Sequence, residues 1–404
     1  MGPARTILLV SLDCVRREAL GCFPVRYPSA AAPNTPVLDA IAARGARFDQ
    51  AITQAPFTPA SHASILTGLN PPRHGVRRLV GQRLADGATP LAEILSGRGY
   101  RCAAFVGSHA LSRAYGLDRG FELYDDVFDS TATSWLLGYR RSCEESTERA
   151  LAWLEQASSP RFLFIHYFDA HDVDNQPETA TPAHQVEQVA RIDRQVGRLL
   201  AAIERQDGPD SALVVVTADH GDAFGEHGEF NHRDYLYDTT LRIPLLVAGG
   251  PFTGGRAVAA QVRAIDIVPT LLDVAGAPPP ALLDGAALAP LLAAEKDRPA
   301  YSETCKELVE HDWDNLALAF AALRDGHHKL ILDLLRGRQE LYDLAADPGE
   351  TSDLAGQPAV ATLESELAQR AEEIASAAPD EPGAMAPDEA ELVAEQLRGL
   401  GYLD

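Results

Sequence analysis

Residues 212–222 decide the fold, and they read Ala-Leu-Val-Val-Val-Thr-Ala-Asp-His-Gly-Asp. The apolar, β-branched part has the length of a strand, so we predict a buried strand over Ala212–Thr217. Asp219 and His220 follow it directly, in a loop at the end of the strand. A neighbouring carboxylate and imidazole suit a divalent metal such as zinc or manganese, although Asp219 could also cap a following helix.

The same kind of apolar run recurs along the chain and alternates with helical spacing. The other predicted strands are Thr6–Leu12, Arg101–Val106, Phe162–Tyr167 and Ile243–Ala248. The predicted helices are Thr35–Arg44, Leu91–Arg98, Glu144–Gln156 and Val186–Glu204. This alternation predicts an α/β fold in which a mainly parallel sheet is sandwiched by helices. Ligands of such sheets bind beyond the carboxyl ends of the strands, where Asp13, His166 and Asp219 fall.

The alternation of predicted strands and helices ends near residue 295. We therefore expect a large α/β domain over 1–295 and a smaller C-terminal α+β subdomain over 296–404, with an acidic tail helix. The predicted elements of the second part are the antiparallel strands Lys329–Asp333 and Glu340–Leu344, the helix Thr362–Ile374 and a linker over Ala377–Pro387.

Composition limits the class of protein. The chain has 404 residues, 46% of them hydrophobic and 23% charged, as in ordinary globular proteins. The formal net charge of −23 argues against nucleic-acid binding, which needs clustered Lys and Arg. We find no secretory leader and no apolar stretch of about 20 residues that could span a bilayer, so we expect a cytoplasmic protein without a membrane partner. A homo-oligomer is compatible with these features.

The cysteines give no disulfide or zinc-knuckle pattern. The five of them are scattered and odd in number: Cys14, Cys22, Cys102, Cys143 and Cys305. We interpret each as a small buried apolar residue. Cys14 is also a candidate soft metal ligand, because it follows Asp13.

A second polar stretch is Thr58-Pro-Ala-Ser-His-Ala-Ser-Ile-Leu-Thr-Gly68, followed by Asn70-Pro-Pro-Arg-His-Gly75. We predict a helix that opens near Ser61, with Ser61 as its cap and Thr58 beside its amino end, where free N–H groups favour an anion. A threonine hydroxyl needs a metal or a base to become a nucleophile. On these residues alone, Thr58 is explained equally well as a helix cap.

These stretches together resemble the sulfatase branch of the alkaline phosphatase superfamily. The resemblance runs in consistent order through Leu8–Asp13, Pro33–Leu38, Thr58–Gly68, Arg73–Gly75, His166–His171, Asp219–Gly228, Arg242–Pro244, Asp266–Thr270, Lys329–Ile331, Glu340–Leu344, Asp347-Pro348 and Leu400–Leu403. It implies that Asp13, Asp219 and His220 are metal ligands. It also implies that Thr58 is the nucleophile and contacts the same metal.

The resemblance also covers several histidines. His62 stands where sulfatases carry an arginine. His166, His171 and His232 fall where related phosphoethanolamine transferases place substrate-binding or second-metal histidines. All four are therefore candidate catalytic residues, and His171, His232 and Cys14 are candidate ligands of a second metal. Three nearby carboxylates have no assigned role: Asp169, Asp172 and Asp174.

Two departures from the sulfatase pattern affect the expected chemistry. Sulfatases usually convert a Cys or Ser at the nucleophile position into formylglycine, and Thr58 cannot be converted in this way. They also bind calcium through oxygen ligands alone, whereas Asp13-Cys14 and Asp219-His220 supply sulfur and nitrogen, which favours zinc or manganese. Both departures favour phosphoryl transfer without formylglycine.

The leading expectation is a metal-dependent hydrolase of phosphodiesters or phosphonate monoesters. It would act on a small anionic ester through a covalent phosphothreonine at Thr58. The alternative is a sulfatase (a sulfuric ester hydrolase) or a phosphotransferase that uses the same site. A third possibility is a non-catalytic member of the family that binds an anion without turning it over.

Overall fold

The computed structural model describes residues 4–24, 27, 31–128, 140–171, 181–307, 316–377 and 383–400. Some of the predictions concern residues outside these ranges. Asp172, Asp174, the end of the Leu400–Leu403 motif and residues 378–382 of the expected linker lie outside the described residues.

The bounds of the strands and helices are as follows. The strands are β1 (Thr6–Leu12), β2 (Ala46–Ile52), β3 (Gln82–Arg83), β4 (Arg101–Phe105), β5 (Leu123–Asp125), β6 (Arg161–Tyr167), β7 (Ala212–Ala218), β8 (Ala223–Phe224), β9 (Phe230–Asn231), β10 (Arg242–Ala248), β11 (Arg256–Arg263), β12 (Ala300–Glu307), β13 (Leu316–Asp325), β14 (His328–Asp333), β15 (Arg338–Asp343) and β16 (Gly383–Ala384). The helices are α1 (Pro36–Arg44), α2 (Thr58–Thr67), α3 (Pro71–His74), α4 (Leu91–Ser96), α5 (Cys143–Gln156), α6 (Pro182–Asp207), α7 (Asp238–Leu241), α8 (Ile267–Ala275), α9 (Ala361–Ala375) and α10 (Pro387–Gly399).

The main sheet has eight strands in the order β11-β2-β10-β7-β1-β6-β4-β5. Only β10 runs antiparallel to its neighbours in this sheet. Two groups of helices flank it, since α1, α5 and α6 pack together and α2, α4 and α8 pack together. The central strand β1 is buried along its whole length, as expected of a strand covered on both faces. The predicted mainly parallel α/β sheet is confirmed.

The second sheet is antiparallel, with the order β12-β13-β14-β15. One of its faces packs on α9, and the other packs against Ile52 and Leu241 of the main body. The strands predicted at 329–333 and 340–344 correspond to β14 and β15, and the predicted helix corresponds to α9.

An acidic tail helix is expected from the sequence, but the bounds of the last helix, α10, are not. Its residues Val393 and Leu397 belong to the same buried cluster as the main sheet, so the end of the described chain returns to the first core. The strand β16 likewise pairs with β3. The division at 295/296 stays a prediction.

The helix α2 begins earlier than predicted. Thr58 is its first residue, and the preceding Phe57 occupies the N-cap position. Pro59 explains this start, because proline favours the first turn of a helix, where it loses no hydrogen bond. The predicted cap at Ser61 is therefore wrong: Ser61 lies inside the helix, and its N–H donates to Phe57 O at 3.2 Å. Every residue of α2 is buried.

Candidate active site and metal centre

The carboxyl ends of three neighbouring strands form the site. In the sheet register, Leu12 of β1 lies opposite Tyr167 of β6 and Ala218 of β7. The residues that follow β1 and β7, Asp13 and Asp219, therefore leave the sheet side by side. The structure brings all of the predicted site residues to this edge: Asp13, Cys14, Thr58, His62, His166, His171, Asp219, His220 and His232.

Asp13 uses its two carboxylate oxygens differently. Its Oδ2 accepts a hydrogen bond from His166 Nε2 at 2.8 Å. The other ring nitrogen of His166, Nδ1, accepts from Gly107 N–H at 3.2 Å, which assigns the ring proton to Nε2. Asp13 Oδ1 accepts no hydrogen bond from any residue that the structure describes. Because Asp13 is fully buried, a charge on this oxygen is unfavourable unless a cation lies close to it.

Asp219 resembles Asp13 in having one oxygen that accepts hydrogen bonds and one that does not. Its Oδ1 accepts from the backbone N–H groups of Cys14 at 3.1 Å and His220 at 2.8 Å. Its Oδ2 accepts no hydrogen bond within the described part of the chain. This second oxygen lies 3.2 Å from His220 Nε2. Each carboxylate thus has one oxygen in hydrogen bonds and one buried oxygen without a donor among the described residues.

His220 and Thr58 complete the group. His220 Nδ1 donates to Gly221 O at 2.9 Å, so the lone pair is on Nε2, as is usual for a metal-binding imidazole. The Thr58 hydroxyl lies 3.4 Å from that Nε2 and 3.3 Å from Asp13 Oδ2. Asp13, Thr58, Asp219 and His220 are all fully buried. Ligand atoms of Asp13, Cys14 and His220 lie within 4.8 Å of one another, and Asp219 Oδ2 lies beside His220, so these side chains could hold a divalent cation. The choice of zinc or manganese and the absence of formylglycine stay predictions.

The pKa values of the two carboxyl groups are shifted in opposite directions. Burial alone would raise the pKa of Asp13, but the hydrogen bond from His166 outweighs it and holds that pKa well below its usual range. Burial, followed by the charge of Asp13, raises the pKa of Asp219. Two buried carboxyl groups this close resist full ionisation unless a cation compensates them.

His62 lies beneath Thr58. Its Nδ1 donates to Thr58 O at 2.9 Å, and its Nε2 pairs with Ser11 Oγ at 2.8 Å. Burial, and next the neighbouring His166, lower the pKa of His62 to about 3, so this ring is uncharged near neutral pH. His62 holds the first turn of α2 in place. Its predicted catalytic role stays a prediction.

A second group of ligand atoms lies beside the first. Cys14 Sγ is 3.5 Å from His232 Nδ1, and one ligand atom each of Cys14, His171 and His232 lie within 4.8 Å of one another. Burial, and then the charge of Asp13, raise the pKa of the Cys14 thiol well above its ordinary value. His171 and His232 retain 3% and 7% exposure, so they form the rim of the site.

Some supporting residues were missed in the sequence. Gln185, on α6, donates from Nε2 to Cys14 O at 2.6 Å, and Gly107 and Ser11 fix the two histidines described above. Nothing in their local sequence signals these contacts. Asp169, to which no role was assigned, accepts from Cys143 N–H at 3.1 Å at the start of α5.

The chain belongs to the sulfatase family, within the alkaline phosphatase superfamily. The family model described as Sulfatase matches residues 5–277, and that described as N-sulphoglucosamine sulphohydrolase, C-terminal, matches residues 225–377. The predicted membership is confirmed.

Individual relatives agree with this membership. A Delta 4,5-hexuronate-2-O-sulfatase of Bacteroides thetaiotaomicron is 23% identical over 87% of this chain and 84% of that protein. The structure of a 2-O GAG sulfatase has a TM-score of 0.74 at 21% identity, covering 92% of this chain and 91% of that one. The phosphonate monoester hydrolase of Agrobacterium radiobacter has a TM-score of 0.70 at 21% identity, covering 92% of this chain and 95% of that one.

Members of the family are hydrolases of sulfate or phosphate esters, and this chain is an ester hydrolase of that kind. Among the expectations from sequence, the named relatives support the sulfatase alternative more than the leading expectation of a phosphodiester or phosphonate hydrolase.

Within the described residues, no helix is both long enough and apolar enough to cross a membrane. The cytoplasmic location stays a prediction.

Proposed function

We propose that the chain hydrolyses a phosphodiester or a phosphonate monoester with Thr58 as the nucleophile. The observation that carries the proposal is the position of the Thr58 hydroxyl, 3.3 Å from Asp13 Oδ2 and 3.4 Å from His220 Nε2. A divalent metal held by Asp13, Asp219 and His220 would lower the pKa of this hydroxyl and offset the charge of the ester.

The surroundings of Thr58 suit an attack on an anionic centre. Thr58 opens α2, and Phe57 before it has no side-chain oxygen to cap the first turn. The positive end of the helix dipole favours negative charge close by. The bond from His62 to Thr58 O fixes the backbone of the nucleophile, so little reorganisation is needed on attack.

The reaction has two displacements. The Thr58 hydroxyl releases its proton to solvent and its oxygen forms a bond to phosphorus as the bond to the leaving oxygen breaks. The departing alkoxide takes a proton from water at the rim near His171 and His232, so no net proton is gained or lost in this step. Water then attacks the phosphothreonine, which restores the Thr58 hydroxyl and releases the phosphate or phosphonate product. Asp13 Oδ2, held by His166, accepts the hydrogen bond of the Thr58 hydroxyl at 3.3 Å and orients the nucleophile.

The choice of phosphate over sulfate rests on three residues. Thr58 cannot become formylglycine, His220 adds a nitrogen to the ligand set, and the uncharged His62 stands where sulfatases carry an arginine. Hydrolysis of a sulfuric ester by the same site is the second candidate, and the names of the relatives favour it.

A panel of nitrophenyl esters distinguishes the two candidates. With zinc or manganese at saturation, we expect kcat/KM for a phosphodiester or phosphonate to exceed that for the sulfate by about tenfold or more, about 1.4 kcal/mol in barrier. Thr58→Ala, purified in parallel, corrects for contaminating hydrolases. Faster hydrolysis of the sulfate would establish the second candidate, and no turnover of any ester by the metal-loaded protein would contradict both.

A further inference from the structure

Gln185 lies in the first turn of α6, and its side-chain amide is buried against the loop that follows β1. Its Oε1 accepts hydrogen bonds from the Tyr27 hydroxyl at 2.5 Å and from Arg16 N–H at 3.2 Å. Its Nε2 donates to Cys14 O at 2.6 Å. Both ends of the buried amide are therefore paired, as burial of a polar group requires.

The two donors fix the orientation of the Gln185 amide. A backbone N–H can only donate, and burial raises the pKa of the Tyr27 hydroxyl well above its ordinary value, so this hydroxyl stays protonated near neutral pH. Both groups therefore face the amide oxygen, which leaves the NH2 group facing Cys14 O. Tyr27 is held in turn by an edge-to-face contact with Phe224, at 5.8 Å between ring centroids.

Cys14 has a backbone conformation that depends on restraint. Its φ is 59°, in the left-handed region that residues with a side chain rarely adopt. Gln185 holds its carbonyl, and its N–H donates to Asp219 Oδ1 at 3.1 Å. The two hydrogen bonds lie on opposite sides of the φ torsion, so together they keep Cys14 in this conformation.

The position of the Asp219 carboxylate depends on this arrangement. Among the described residues, the other donor to Asp219 Oδ1 is the N–H of the adjacent His220, at 2.8 Å. That bond is local to the loop after β7, so the Cys14 N–H is what ties the Asp219 side chain to the loop after β1. Because Cys14 directly follows Asp13, a rotation of its backbone would move the two carboxylates relative to each other.

The alternative is that Gln185 only attaches α6 to the sheet. This helix has 26 residues and already buries many apolar side chains, among them Val186, Val189, Ile192, Val196 and Leu199. One hydrogen bond contributes far less to its docking than this apolar surface does. The three partners of the amide also lie in loops and not in strands, so the amide organises the loop beside the site.

We propose that Gln185 is a positioning residue of the metal centre. Through the backbone of Cys14, it holds Asp219 in the place where a divalent ion bound by Asp13, Asp219 and His220 needs it. Residues that orient metal ligands without touching the metal commonly contribute about 10- to 100-fold in affinity. The proposal rests on this metal site and does not depend on whether the ester is a phosphate or a sulfate.

The zinc affinity of Gln185→Met tests the proposal without reference to turnover. Methionine has about the size of glutamine but cannot donate to Cys14 O. After chelation, titration with zinc against a chromogenic chelator should show a dissociation constant raised by about 10-fold or more. Gln195→Met is the matched control, because Gln195 is a buried glutamine of the same helix that accepts from Arg198 Nη1 at 3.0 Å, and it should bind zinc as the native protein does.

Cobalt(II) spectra distinguish positioning from a general loss of structure. With cobalt(II) at saturation, the visible absorption bands report the geometry of the bound ion. We expect altered bands in Gln185→Met and native bands in Gln195→Met. Tyr27→Phe keeps Gln185 but removes one of the two donors to its oxygen, so it should change affinity and spectrum in the same direction and by less. If Gln185→Met does not fold by circular dichroism, Tyr27→Phe provides the comparison.

Native zinc affinity and native cobalt bands in both Gln185→Met and Tyr27→Phe would overturn the proposal, and so would an equal loss in Gln195→Met. A native protein that binds no divalent ion would contradict this proposal and the metal assignment together. Tight, Gln185-dependent metal binding without cleavage of any ester would contradict the proposed function and leave the role of Gln185 standing.

Discussion

Asp13 and Asp219 are prepared for a cation by their hydrogen bonds. In each, one oxygen is held by a hydrogen-bond donor and the other, fully buried, has no donor among the described residues. An uncompensated buried carboxylate oxygen costs on the order of 1–3 kcal/mol or more, so these two side chains are poor choices for stability alone. A metal bound to the two free oxygens would remove this cost, which explains why two such carboxylates are buried together.

Removing either ligand should release the metal. We expect Asp219→Ala and His220→Ala to weaken binding at this site by more than about 100-fold, which exceeds the usual loss on removing a supporting residue. Elemental analysis after dialysis measures the effect, and circular dichroism checks folding. Asp210→Ala, at an exposed position, and His184→Ala, at a half-buried position of α6, are the matched controls and should keep the native content. Native metal content in Asp219→Ala or His220→Ala would contradict the assignment.

The metal ligands could be predicted from sequence, but the residues that hold the site side chains in place by hydrogen bonds could not. Asp13 and Asp219 each follow a recognisable strand, and parallel strands deliver such residues to one edge. The partner of His62 is Ser11, 51 residues away, and that of Cys14 is Gln185, 171 residues away. Such pairs depend on the sheet register and on helix packing, which have no local signature.

Two helices show how local signals were misread. The helix α2 was expected to open at Ser61, yet Pro59 already marks its first turn. The bounds of α10 within the acidic tail could not be predicted, because the Ala- and Pro-rich segment before it suggests a linker. Its own start signals are Pro387 in the first turn and Glu389, whose carboxylate accepts from Ala386 N–H at 3.0 Å.

The helix α10 should contribute to the stability of the main core. Leu397 is fully buried in that core, whereas Leu392 on the same helix is 53% exposed. We expect Leu397→Ala to lower the free energy of unfolding by about 2–5 kcal/mol and Leu392→Ala by no more than about 0.5 kcal/mol. Urea denaturation measures both. Equal, small effects would mean that α10 does not pack on the sheet in solution.

The two sheets are joined by buried charges as well as apolar contacts. Lys329 Nζ on β14 lies 3.0 Å from Asp238 Oδ1 and 2.7 Å from Glu350 Oε1, and Arg324 on β13 lies 2.6 Å from Asp238 Oδ2. Asp238 begins α7, directly before β10 of the main sheet. The strands β14 and β15 could be predicted but this junction could not, because Asp238 begins a helix of four residues and Glu350 lies in a loop, and neither segment has a periodic pattern.

Breaking this junction should be costly. Lys329→Ala leaves Asp238 and Glu350 buried with less compensation, so we expect it to lower the free energy of unfolding by about 3–5 kcal/mol. Arg336→Ala removes the 65%-exposed partner of Asp333 and should cost at most about 1 kcal/mol. Thermal and urea unfolding compare the two. A Lys329→Ala protein as stable as Arg336→Ala would show that the charges do not hold the sheets together.

Covalent modification of Thr58 is the central claim. Thr58→Ala should lower kcat by several orders of magnitude, because it removes the nucleophile itself. Thr58→Ser should keep measurable activity, since a primary hydroxyl can form the same ester. Ser61→Ala is the matched control on α2: its hydroxyl is buried but makes no hydrogen bond to a described residue, so we expect a small effect on rate.

Acid quench during turnover, followed by peptide mass spectrometry, tests this claim most directly. The expected result is a phosphoryl or phosphonyl group, or a sulfuryl group if the sulfate ester is the substrate, on Thr58 of the native protein and on no residue of Thr58→Ala. The contradicting result is an unmodified Thr58 together with near-native turnover by Thr58→Ala. That outcome would mean that water attacks the ester directly.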